Sequence, residues 1–145
     1  MRKSVIVVLT CLAMGSLTLY GVAIAHDDEK HGEMSHTDAQ MRKLHAMMPM
    51  FSLASAKMET ALEKRDSAAV KIEGDKIIVA VPDLKKSKPH KNVSQKKKFV
   101  EFATNLETAV ISTVNLAKNG DLAAAKSAFK KVEATCAACH ATFRD

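Results

Sequence analysis

Residues 122–143 read LAAAKSAFKKVEATCAACHATF, and the spacing of their apolar side chains decides the fold. Leu122, Ala125, Phe129, Val132, Cys136, Cys139 and Phe143 recur at steps of three and four, which puts them on one face of a helix. Asp121 supplies an N-cap, and Asn119-Gly120 ahead of it the left-handed close of a preceding helix. The stretch CAACH, residues 136–140, therefore lies on a helix with its cysteines facing inward.

Upstream the same periodicity repeats. Val93 to about Lys118 forms a third helix with Phe99, Phe102, Leu106, Ala109, Thr113 and Leu116 on one face. A first helix begins at Met41, where Met41, Leu44, Met48, Phe51, Ser55, Met58 and Leu62 form a single stripe, and ends near Arg65. Pro49 removes a backbone donor and crowds the carbonyl of His45, so a kink or a fresh helix start is expected there. Asp66 caps a second helix that runs to about Val81, weakened by Gly74 and stopped by Pro82. Pro82 to Asn92, rich in lysine and proline, reads as a loop.

The segment ALEKRDSAAVKIEGDKI (61–77) echoes LAKNGDLAAAKSAFKKV (116–132), with Asp66 matching Asp121 at the same point of a short turn. Two helical hairpins built alike predict an all-α, antiparallel four-helix bundle. No strand pattern competes.

The chemistry sits in CAACH. Two thiols one helical turn apart can add to the two vinyl groups of a haem, and the adjacent His140 then offers its imidazole to the iron from the proximal side. The spacing therefore reads as the covalent attachment site of one haem c at Cys136 and Cys139. Two other readings use the same residues. A thiol–disulfide redox pair usually opens a helix, whose N-terminal dipole lowers the thiol pKa, whereas this motif closes one. A zinc site needs about four ligands, and no second Cys/His pair stands at suitable spacing.

Residues 1–25 are read apart from the fold. Arg2 and Lys3 precede an uncharged apolar run from Val5 to Ala25 that ends in Ala23-Ile24-Ala25, the layout of a secretory signal cleaved after Ala25. An uncleaved membrane anchor is the competing reading. Cys11 lies within this run without the small neighbours that a lipoprotein cysteine needs. Cleavage implies a periplasmic protein without membrane attachment. Residues 26–37 read as a flexible polar tail, and 38–145 as the bundle domain. Three histidines and Met34 in the tail offer a loose copper or nickel site, which defines a metal-handling alternative.

The leader holds two of the 22 basic residues and none of the 16 acidic ones, so its removal leaves a net charge of +4. That is too little, with no tryptophan and the single tyrosine in the leader, to imply nucleic-acid binding.

An exported chain of four helices with CAACH one turn from its C-terminus resembles the cytochrome c-prime family, the class II c-type cytochromes. The resemblance covers the chain from about Asp38 onward. It implies a haem lying inside the bundle, close to the start of the first helix, and a basic residue soon after the proximal histidine, which Arg144 supplies near the haem edge. It also implies a homodimer paired through the first two helices as one arrangement. Family members either present a methionine from the first helix as sixth ligand or leave that site open behind an apolar side chain.

In an antiparallel bundle the residue opposite His140 lies about as far from the Arg65-Asp66 turn as His140 lies from Asn119-Gly120, roughly 20 residues, which points near position 45. Met48 faces inward in the stripe and best matches the family's methionine, with Met41 and His45 as alternatives. Five methionines between Met41 and Met58 also suit a flexible core filler.

The expected function is one-electron transfer by a His/Met-ligated haem, and no acid–base pair points to an enzyme. An open sixth site would instead make the chain a binder or scavenger of nitric oxide or carbon monoxide. Lys85, Lys86, Lys88, Lys91, Lys96, Lys97 and Lys98, with no acidic residue among them, offer a docking region for acidic redox partners.

Overall fold

The computed structural model describes residues 36–144. The expected leader, Cys11 and most of the polar tail lie outside the described residues. Four helices make up the fold: α1 (His36–Glu63), α2 (Ser67–Lys86), α3 (Lys96–Lys118) and α4 (Leu122–Phe143). A single 3₁₀ turn, Val93–Gln95, precedes α3. No strand occurs among the described residues. The result is an all-α four-helix bundle.

The two hairpin turns are built alike, as the internal echo requires. Asp66 Oδ1 accepts the N–H of Ala69 at 2.9 Å, and Asp121 Oδ1 accepts that of Ala124 at 3.0 Å. The N–H of Asp66 returns to the carbonyl of Ala61, and that of Asp121 to Leu116. These bonds occupy carbonyls that the preceding helix would otherwise leave unpartnered. The left-handed position of the second turn is Gly120, at φ 82°; in the first it is Arg65, at φ 60°.

Pro82 departs from expectation, since it does not stop α2, whereas Pro49 falls within the first helix as read from sequence, without a fresh start. Pro49 lies inside α1 and Pro82 inside α2, and each helix runs on through it. Pro49 stands on an exposed stretch of α1, and Pro82 is exposed as well, so the carbonyl that each ring leaves unpartnered can turn to water. In consequence α2 extends to Lys86 and the loop shrinks to residues 87–92; α3 begins at Lys96 rather than Val93, because Val93–Gln95 form the 3₁₀ turn.

Consecutive helices pack along their lengths, whereas α1 and α4 meet at few points. The core that joins α1, α2 and α3 includes Met58, Leu62, Val70, Ile77, Val81 and Val110, each almost fully buried. Side chains of this size stabilise the fold by about 1.5–3 kcal/mol apiece. Gly74 lets α2 approach α3 closely, since a Cβ there would stand 2.5 Å from Cγ2 of Val114. On the outer surface the most exposed large apolar side chains are Val79 and Ile72 of α2 and Leu53 of α1. No described helix is long and apolar enough to cross a membrane.

Candidate functional site

The sparse meeting of α1 and α4 leaves a cavity of about 900 Å³ between them. Its volume falls within the range of about 300–1,000 Å³ usual for small-molecule and cofactor sites. α1 and α4 form its facing walls, and Phe99, Phe102 and Leu106 of α3 form its back.

The division of labour on α1 follows from about 100° of rotation per residue. Met47, Ala54, Met58 and Ala61 point to one side and are buried in the core. His45, Met48, Ser52, Ser55 and Glu59 point to the other and line the cavity. Leu44 and Phe51 stand on the boundary and serve both. The stripe read from sequence thus spans a core face and a cavity face. Its half-buried members Met48 and Ser55 belong to the second.

On α4 the cavity wall holds Phe129, Cys136, Cys139, His140 and Phe143, followed by Arg144 just beyond the helix. Cys136 and Cys139 are half-buried and unlinked. Burial, with the carboxylate of Glu133 adding to it, raises the Cys136 thiol above its usual pKa. Burial and the neighbouring Cys136 push Cys139 up to about 11. A redox-active dithiol needs the opposite shift, because the thiolate is the nucleophile. His140 lies on the wall at a solvent-accessible position. Partial burial and then the Arg144 guanidinium lower its pKa, which favours the neutral imidazole that ligates metals.

The three candidates for the opposite side are placed differently. Met48 is on the wall and half-buried. His45 is also on the wall, but its Nε2 lies 3.0 Å from Nε2 of His90 and the two rings stack with centroids 4.9 Å apart. Met41 packs against the core and does not line the cavity. His90 is a site residue that sequence reading missed. It sits in the loop at residues 87–92, and no local pattern marks a contact made 45 positions away. Ser52, Glu59 and Pro89 were missed for a related reason: the first two continue the spacing of Met48 but are polar, so an apolar stripe passes over them, and Pro89 joins the wall through the tertiary fold.

The donor set suits a c-type haem. Two thiols and an imidazole share one face of α4, an apolar enclosure of five phenylalanines and three leucines would shield a macrocycle, and a thioether stands on the opposite wall. Zinc is a poorer fit, since no group of three or more His, Cys, Asp or Glu able to hold a metal occurs among the described residues. A helical bundle with such a wall fits the class of c-type cytochromes. Residues 27–144 match the model of the Cytochrome C' family, and the chain belongs to that family, whose cofactor is haem c. No curated protein and no solved structure matches it.

Proposed function

We propose that this chain is an exported electron carrier that binds one haem covalently through Cys136 and Cys139, with His140 ligating the iron on one side and Met48 on the other. The observation that carries this reading is the placement of all four side chains on one cavity, three on α4 and one across from them on α1. When bound, the haem supplies a reversible one-electron couple, and a thioether ligand raises its potential.

The residues of the chain do the rest. The lowered pKa of His140 keeps protons from competing for its ligating nitrogen near neutral pH. Phe51, Phe99, Phe129 and Phe143, all buried, hold water away from the centre of the cavity. Arg144 supplies a cation on the wall for the carboxylates at the haem edge. His45 is engaged with His90, which favours Met48 over it as sixth ligand.

The size of the cavity favours one competing reading, in which Met48 stands aside and the iron takes nitric oxide or carbon monoxide. The absorption spectrum of the reduced protein, with and without carbon monoxide, separates the two. Six-coordination predicts a sharp low-spin α band that the gas leaves unchanged, and Met48→Ala then admits the gas. Ready adduct formation by the unsubstituted protein would contradict ligation by Met48.

A further inference from the structure

We propose that the corner where α2 ends and α3 begins is the docking surface for an acidic one-electron carrier protein, and that Lys88, Lys97 and Lys98 rather than Lys85 or Lys96 form its contact charge. The inference rests on the electron-carrier reading and names the partner for that same site.

Between Asp83 and Glu101 the chain has seven lysines and no acidic residue. The fold sorts them. Lys85 is paired with Glu107 at 2.6 Å, and both are largely shielded. Lys96 donates from Nζ to the carbonyl of Ser87 and lies 5.1 Å from the centre of the Phe99 ring. These two lysines bind α2 to α3 and the loop to α3. Lys97 and Lys98 are exposed, and Lys88 is half-exposed on the loop. Asp83 is held by Lys43 at 2.8 Å and also feels Lys86, so it does little to offset the charge of the corner, whereas Glu101, one turn along α3 from Lys97 and Lys98, balances it in part.

The same corner closes the cavity. The loop is pinned to the end of α4, where the N–H of Lys91 reaches the carbonyl of Phe143 at 3.2 Å and Nδ2 of Asn92 reaches that of Thr142 at 2.7 Å. Pro89 and His90 of the loop line the cavity beside His45 and Arg144. His45, His90 and Arg144 are exposed, so the cavity reaches solvent beside the loop that carries Lys88, and Phe99 of its back wall follows Lys97 and Lys98 directly in the chain. A partner drawn to this charge is thereby brought to the cavity mouth. A haem held there by Cys136, Cys139 and His140 would supply the one electron that the partner's oxidised centre gains.

Complementary charge of this kind speeds encounter and is screened by salt. Nucleic acid is a poorer occupant, because the phenylalanines here are buried or half-buried and offer no stacking platform. An anionic lipid surface is the occupant that the test must separate.

The holoprotein is reduced and then oxidised in stopped-flow by hexacyanoferrate(III), an anion, or by tris(phenanthroline)cobalt(III), a cation, at low and high salt. The anionic reagent is expected to react faster at low salt. The triple variant K88E/K97E/K98E, with an unaltered absorption spectrum, is expected to lose about tenfold in that rate and to gain with the cation, within the range usual for electrostatic steering. The single variants K85Q and K96Q should leave both rates within about twofold. Rates that ignore salt and the triple substitution would overturn the proposal. So would binding to phosphatidylglycerol vesicles that the triple variant loses while its rates stay unchanged. The electron-carrier reading fails separately, through a protein that holds no haem or reacts with neither reagent.

Discussion

Cys139 shows how a single residue's surroundings set its chemistry. Its pKa of about 11, against a usual value near 9, means a thiolate fraction about a hundredfold smaller at neutral pH. In haem-free protein, iodoacetamide should therefore alkylate Cys139 far more slowly than an unfolded peptide of the same sequence at pH 8, and denaturant should erase the difference. Equal rates in the folded and unfolded states would contradict the burial argument. That Cys136, Cys139 and His140 share one wall was legible from spacing alone, because the three stand within about one turn of helix. Counting from the turns reached only the neighbourhood of position 45, and Met48 was singled out there by its place in the stripe and by the family resemblance; it does line the cavity. His90 was not, since its stacking on His45 depends on where the loop at residues 87–92 lands.

At the scale of the elements, capping and periodicity carried most of the information. Asp66 and Asp121 act as the caps that the sequence predicts, and the two turns share their hydrogen bonds. Pro82 misled, because a ring inside a helix costs one hydrogen bond but does not end the helix when its neighbours stay packed. Leu44, Met47 and Phe51 hold α1 on both sides of Pro49, and Val81 and Leu84 hold α2 around Pro82. Gly74 was readable only as a weakness; in the fold it is the point of closest approach to Val114. Thermal melts of two variants test these local accounts. Arg65→Gly relieves a left-handed non-glycine residue and should raise stability by about 1 kcal/mol. Gly74→Ala adds a methyl group against Val114 and should lower it by about 1–2 kcal/mol, the clash outweighing the gain in helix propensity. A Gly74→Ala protein that melts above the unsubstituted one would show that α2 and α3 have room to spare.

On the scale of the whole molecule, the bundle combines a packed core on one side of α1 with a walled cavity on the other. Sequence periodicity revealed that α1 is amphipathic, but it could not divide the stripe into core and cavity faces, because methionine suits either. The division follows from α1 and α4 standing apart, which is a property of the assembled helices. It leaves the thiols of α4 facing an apolar space between the two helices. Covalent attachment of a tetrapyrrole to those thiols is the central claim, and the intact mass of the purified protein, made in a host with a c-type maturation system, tests it most directly. The account predicts the mass of the polypeptide plus one haem, retained after acid–acetone extraction and abolished when Cys136 and Cys139 are both replaced by alanine. A colourless protein with the mass of the bare polypeptide would contradict it.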